Sequence, residues 1–485
     1  MLTAPRQATV PNDGLIRYRG LFNQERLLVT SPKALSEVLV THSYDFQKPS
    51  SLTWSIGRIL GIGLVIAEGN EHKIQRKNLN PAFAFRHVKD LYPVFWEKGV
   101  EGMHAIAEVV RAGLEARKSG RDEEEGGDDG TVVLELGNWA SRTTLDIIGV
   151  AGMGRDFGSI KDPTNELSQT YQKLFRPSRS AQILALIGLF LPPWLVGMLP
   201  VKRNGDVRAA AAYIRSVCRD MIREKRERLL ANGKTSSDDV DILSVAIESG
   251  GFTEENLVDQ MMTFLAAGHE TTSTSLQWAV YMLCLFPEVQ AKLRAEVRAN
   301  LPRPESGKAI TALDIDRLPY LAAVCNEVLR YYSPVPMTIR ETVTDTTVTG
   351  VRVPRGTRVI VSAWATNKDV LLWGPDATKF NPDRWLAGAD GGNGNGSGNF
   401  KGNPNSGGAT SNYAFLTFLH GPRSCIGQGF AKAEFACVLA SWIGRFEFSL
   451  KNREEYDEGN MVIKGGITAR PAKGLWVKVR EVDGW

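Results

Sequence analysis

The chain has 485 residues, 43% hydrophobic and 23% charged, with a formal net charge of +4 at pH 7. That composition supports a large core, and so small a positive excess leaves no footprint for nucleic acid, so no nucleic-acid partner is expected. Five cysteines (218, 284, 325, 425 and 437) are odd in number, scattered and without a C-x-x-C pair, which argues against a disulfide framework or a zinc site and fits a reducing compartment.

From the N-terminus, Met1–Asn12 has no apolar stretch and reads as neither signal peptide nor membrane anchor. Ile16–Arg19 and Arg26–Thr30 are short β-prone runs that predict a hairpin. Helical patterns dominate from Pro32 to Val297, with Pro32 at a first helical position and longer helices over Val88–Arg117, Leu134–Val150 and Val207–Ala231. The most apolar segment, Ile183–Leu199, is split by Pro192-Pro193, so neither half reaches the roughly 20 residues a spanning helix needs. An interfacial patch and a buried loop both fit it. Acidic, glycine-rich Ser119–Gly130 and low-complexity Gly388–Asn412 read as surface insertions. Further strands are expected at Thr338–Thr349, Val351–Val353, Arg358–Ser362 and Gly474–Val482. The fold class is mainly α with small β-sheets. Motifs on both sides of 388–412 must build one pocket, so residues 1–485 are expected to form a single catalytic domain.

One helix stands apart. Thr253 caps a start followed by Glu254 and Glu255, and the pattern runs to Phe286 before Pro287, roughly 50 Å at 1.5 Å per residue. In its middle, Ala266-Ala267-Gly268-His269-Glu270-Thr271-Thr272 breaks several local rules at once. Glycine and paired threonines are poor helix formers, and a buried glutamate is costly unless satisfied. Such clusters of exceptions are expected at functional sites. A threonine hydroxyl bonding back to the preceding turn loosens a helix there.

Near the C-terminus, Phe418-Leu-His-Gly421-Pro-Arg423-Ser-Cys425-Ile-Gly427 holds one cysteine in a glycine-punctuated loop with arginine two positions away, which is expected to favour the thiolate. The pattern Phe-x-x-Gly-x-Arg-x-Cys-x-Gly resembles the haem-binding loop of the cytochrome P450 family. The resemblance implies that family's fold, a helix-rich triangular prism with a long central helix over the haem. It makes Cys425 the metal ligand to a haem b iron, an axial thiolate that favours O–O cleavage. The Ala266–Thr272 segment resembles the family's oxygen-binding motif, with Ala267 and Gly268 leaving room over the iron and Glu270 and Thr271 as the catalytic proton-delivering pair.

Two further motifs fit. Glu327-Val-Leu-Arg330 matches the family's Glu-x-x-Arg, and Arg384 in Phe380-Asn-Pro-Asp-Arg-Trp385 completes a structural triad. His72 and Arg76, one turn apart, together with Arg340 and Arg423, are expected to hold the haem carboxylates, although many relatives have Trp where His72 stands. By position, Phe264, Thr272, Val335, Met337 and Ile467 belong to the substrate pocket, and their apolar character implies a lipophilic small molecule. The reaction implied is monooxygenation, inserting one atom of O2, with electrons from an external NADPH-cytochrome P450 reductase and cytochrome b5 as a second potential donor. Secondary metabolism fits the fungal-like motif set. Alternatives are a haem-thiolate isomerase or dehydratase that works without O2, or a non-catalytic haem protein; retention of Glu270 and Thr271 favours the monooxygenase. The resemblance places the chain at the cytosolic face of the endoplasmic reticulum membrane; without an N-terminal anchor, a cytoplasmic or peripheral location also fits.

Overall fold

The computed structural model describes residues 10, 12–119, 130–175, 179–188, 190–232, 241–386 and 406–485. Most of the two polar insertions expected from the sequence lies outside the described residues.

The expected hairpin forms: β1 (Leu15–Arg19) pairs antiparallel with β2 (Glu25–Val29). Its sheet is completed by β3 (Phe46–Gln47), β5 (Thr338–Thr342) and β8 (Arg358–Val361) in the order β1-β2-β8-β5-β3, with only β2 and β8 parallel. A small hairpin, β6 (Thr346–Val348) with β7 (Val351–Val353), projects between β5 and β8 in sequence. The second sheet joins β4 (Val132–Glu135) and β9 (Phe446–Leu450) through β12 (Trp476–Glu481). Between them in sequence, β10 (Ile463–Gly465) and β11 (Ala469–Pro471) form a separate two-stranded hairpin.

The helices that carry the site are α1 (Ser50–Leu60), α2 (Gly69–Leu79), α3 (Tyr92–Lys118), α4 (Leu136–Ile147), α5 (Lys202–Asn232), α6 (Glu254–Leu285), α7 (Pro319–Tyr331) and α8 (Gln428–Arg445). Two expected boundaries move. Leu91 separates Phe85–Asp90 from α3, whose second residue is Pro93, because proline cannot donate into a preceding turn. The expected helix over Leu134–Val150 starts instead at Leu136, since Glu135 ends a strand and accepts the Gly137 and Asn138 N–H groups.

The central helix α6 begins as expected, with the Thr253 side chain accepting the Asn256 N–H, and runs unbroken to Leu285. It is buried nearly all round, packed between α4, α5, α7 and α8. The Ile183–Leu199 region forms two short helices, Arg179–Ile187 and Pro193–Met198, and is no buried loop: Phe190 is 73% exposed, and Ile183, Leu186, Trp194 and Met198 are exposed with it. Among the described residues no helix is long and apolar enough to cross a membrane.

The predicted triad is fully formed inside the protein. Glu327 and Arg330 have no exposed side-chain surface and pair through two 2.8 Å bonds. Arg384 Nε donates to Glu327 Oε1 at 3.1 Å, and the Trp385 indole N–H and the Asn381 backbone N–H complete the carboxylate's shell. Arg330 also donates to the carbonyls of Asn367, Ala377 and Lys379. Breaking a buried pair by removing one partner costs about 3–5 kcal/mol. Glu327→Leu is therefore expected to lower the thermal midpoint sharply or prevent accumulation of folded protein; a wild-type unfolding curve would contradict this role.

Candidate haem site

The loop 418–427 is shaped by its backbone before its side chains. Leu419 and Gly421 both have positive φ, 57° and 77°, and a Cβ on Gly421 would sit 2.2 Å from the Leu39 carbonyl oxygen. The Cys425 N–H donates to the Phe418 carbonyl at 2.9 Å, closing the loop. Cys425 is exposed where the other four cysteines are buried, yet burial among protein atoms pushes its thiol pKa up, opposed by the Gly427 N–H and Arg76. A side chain both accessible and enclosed faces a recess.

The expected cation for the sulfur changes here. Arg423 turns away to Glu68 and to the carbonyls of Ser43 and Phe46, whereas Arg76 on α2 bonds the Ser424 carbonyl at 2.6 Å and sits beside the sulfur. With burial dominant, Arg423 does not hold the thiolate, as sequence proximity suggests. A metal cation would supply the missing positive charge, and a coordinating thiol is deprotonated outright.

Next to this loop lies a concentration of buried basic side chains. His72, Arg340 and Arg423, expected from the sequence, are joined by Lys48, which no motif marks. The acid facing them is Glu68, which accepts from Arg423 and from both the Lys48 N–H and its ammonium, at 3.0 and 3.2 Å. Arg340 is 4% exposed and donates to Thr338 Oγ1 and the Ile339 carbonyl, and among the described residues it has no hydrogen bond to a carboxylate. Burial, reinforced by the neighbouring arginines, pushes Lys48 down to about 8, Arg340 to about 10 and His72 to about 4. His72 accordingly stands as a neutral ring, with its Nδ1 3.3 Å from the Tyr44 hydroxyl. Buried cations in excess of acids are stabilised by an incoming anion. A group bearing two carboxylates and a metal fits both halves of the recess.

The opposite wall is α6. In the buried middle of the helix, Ala267 is exposed and Gly268 and Thr271 are half-exposed, so this face looks onto open space. Phe83 ties the walls together: its ring lies 3.6 Å from where a Gly427 Cβ would stand and packs on Phe264 at 5.5 Å between centroids. Thr271 Oγ1 donates back to the Ala267 carbonyl at 2.8 Å, the bond expected from the sequence, without interrupting the helix. A Cβ on Gly268 would meet Ile148 at 2.9 Å, so the absence of a side chain there also lets α6 pack closely against the turn after α4.

A profile described as cytochrome P450 matches residues 18–474. The chain is 49% identical to cytochrome P450 monooxygenase sphH of Aspergillus fumigatus, over 98% of this chain and 83% of that protein. It is 45% identical to cytochrome P450 monooxygenase ALT8 of Alternaria alternata (97% and 84% covered) and 46% identical to cytochrome P450 monooxygenase FUM15 of Gibberella moniliformis (96% and 81% covered). The chain belongs to the cytochrome P450 family. It is a P450 monooxygenase, an enzyme class that uses haem, O2, a redox partner and an organic substrate.

Within this P450 the remaining predicted residues separate. Val335 and Met337 are half-buried in the loop before β5, Phe264 is buried against Phe83, and Ile467 is 48% exposed at the tip of the β10–β11 hairpin. Thr272, expected in the substrate pocket, is 2% exposed and stands beside Glu434 of α8, because residues 271 and 272 point about 100° apart on a helix. Glu434 carried no motif in the sequence reading. It is fully buried, and burial holds its carboxyl well above the usual carboxylate range, so it stands as a neutral acid between the central helix and the helix after Cys425. A cavity of about 400 Å³, lined by Pro49, Trp54, Arg58, Leu184, Val196 and Ile339 among others, opens between α1 and the exposed apolar 179–198 region. Ile339 adjoins Arg340 of the cationic cluster.

Lys48 yields a pH test. Its ammonium, with a pKa of about 8 before an anion arrives, attracts a carboxylate fully below that pH and progressively loses its charge above it. Haem transfer from the holoenzyme to excess apomyoglobin is expected to speed up several-fold from about pH 7 to about pH 9.5, with Lys48→Gln flattening that dependence. An identical pH profile in the variant would remove Lys48 from the site.

Proposed function

We propose that Cys425 binds the iron of haem b through its thiolate, with His72, Arg76, Arg340, Arg423 and Lys48 grouped around the haem carboxylates. The observation that carries this reading is the pairing of an accessible, enclosed cysteine with buried positive charge that exceeds its acids. When bound, haem supplies oxygen activation and transfer of one oxygen atom to substrate. The chain's residues do the rest. Ala267 keeps the distal face open, and Thr271, anchored on the Ala267 carbonyl, presents a hydroxyl to it. Glu270, the acid beside it, brings protons from solvent. Val335, Met337 and Ile467 give the substrate an apolar enclosure, so the substrate is a lipophilic small molecule that reaches the site through the α1 cavity.

The whole chain acts as one catalytic unit that takes electrons from an NADPH-cytochrome P450 reductase, with cytochrome b5 as a second donor. The exposed apolar side chains at 183–198 support peripheral contact with the endoplasmic reticulum membrane. The fungal relatives support a place in secondary metabolism. Retention of the Glu270–Thr271 pair favours monooxygenation over rearrangement of a peroxide substrate.

Thr271→Ala is expected to consume NADPH at a similar rate while product per NADPH falls several-fold and hydrogen peroxide appears instead. Unchanged coupling would contradict the role of Thr271, and full turnover of a hydroperoxide without reductase would favour the isomerase reading.

A further inference from the structure

The Glu270 carboxylate is engaged, and its partners come from a distant part of the chain. Oε1 accepts the Thr468 hydroxyl at 3.0 Å and Arg470 Nη1 at 3.2 Å. Both belong to the β10–β11 hairpin, whose strands pair Gly465 with Ala469 and whose turn is closed by the Gly466 N–H on the Thr468 carbonyl. Ala469, between the two, is fixed on both sides. Its N–H donates to the Pro334 carbonyl at 2.8 Å, and its carbonyl accepts the Trp278 indole N–H at 2.8 Å. Trp278 lies on α6 itself, eight residues beyond Glu270, and Pro334 begins the loop that carries Val335 and Met337. The hairpin is therefore bolted to the central helix at two points and to the pocket loop at a third.

The exposure of these groups gives the arrangement direction. Glu270 and Thr468 are each 7% exposed, whereas the Arg470 side chain keeps 26% of its surface. The carboxylate is sheltered, and the guanidinium that grips it reaches water. Proton transfer requires a donor held within hydrogen-bond reach in a fixed orientation. A glutamate with three side-chain torsions gains that orientation from a second element, not from its own helix.

We propose that Thr468 and Arg470 are positioning residues for proton delivery: together they hold the Glu270 carboxylate in place, and the wet edge of Arg470 keeps solvent protons within its reach. The hairpin thus acts on the proton supply as well as on substrate shape, since its tip carries Ile467, proposed above to enclose the substrate. This rests on the reading of Glu270 as the proton-relaying acid.

Two measurements on the purified full chain loaded with haem test it. In the first, thermal unfolding of wild type, Glu270→Gln, Arg470→Met and the double variant forms a cycle. The two single effects are expected to be non-additive, and strict additivity would mean that the contact is absent. In the second, NADPH oxidation with reductase is followed in H2O and D2O, with lauric acid as a lipophilic probe. Thr468→Val and Arg470→Met are expected to slow it several-fold and enlarge the solvent isotope effect. Arg470→Lys is expected to restore much of the rate, and the carbon monoxide band should be unaltered throughout. Wild-type rates and isotope effects in the hairpin variants, beside a slowed Glu270→Gln enzyme, would overturn the hairpin's role and leave Glu270's intact. An unaltered Glu270→Gln enzyme would overturn the underlying reading of Glu270.

Discussion

Glu327 and Arg330 are charges out of reach of water, Arg384 is nearly so, and the protein has few ways to satisfy them. Desolvating a carboxylate and two guanidinium groups is costly enough that nearly every lone pair and N–H must find a partner. Here the partners are backbone groups of residues 367, 377, 379 and 381, the indole of Trp385 and, for Arg384, the carboxylate and carbonyl of Asp376. The same network fixes the approach to the cysteine. Asn367 Nδ2 donates to the Arg330 carbonyl and to Thr417 Oγ1, its Oδ1 accepts the Leu416 N–H, and Thr417 Oγ1 donates to the Leu329 carbonyl. Phe418 follows directly and receives the Cys425 N–H. A buried charge cluster on α7 thus sets where the sulfur stands, although none of its members reaches the reacting atoms.

What could be read in the sequence shares one property: the signal is local. The α6 start, the Thr271 back-bond, the Glu-x-x-Arg pair and the turn-forming residues of the cysteine loop all involve neighbours within a few positions, where propensity and spacing carry the information. The β1–β2 hairpin belongs to the same class. Pairings across hundreds of residues left no such trace. Arg423 sits two positions from Cys425, yet the backbone turn sends it to Glu68, and Arg76, 349 positions earlier, takes the place beside the sulfur. Lys48 follows a two-residue strand too short to show a period, and β4, β10 and β11 have only three or four residues each. The contact a Gly268 Cβ would make with Ile148 was equally invisible, because Ile148 lies on another helix.

The two walls of the recess are built by opposite rules. On the cysteine side, charge is crowded and under-compensated, so binding an anionic, metal-bearing group relieves a cost already present in the folded chain. On the α6 side, an apolar stretch of helix shows two small residues and one hydroxyl, and the Glu270 carboxylate is held from behind by a hairpin. The first wall favours retention of a cofactor. The second, on the proposed reading, leaves space for small molecules beside a carboxylate whose position is fixed.

The thiolate assignment of Cys425 is tested most directly by the absorption spectrum of the purified, dithionite-reduced protein under carbon monoxide. A strongly red-shifted Soret band, lost in Cys425→Ser while the helical circular dichroism remains, is the expected result. A Soret band without that shift in the wild-type protein, or one that survives replacement of Cys425, would contradict it.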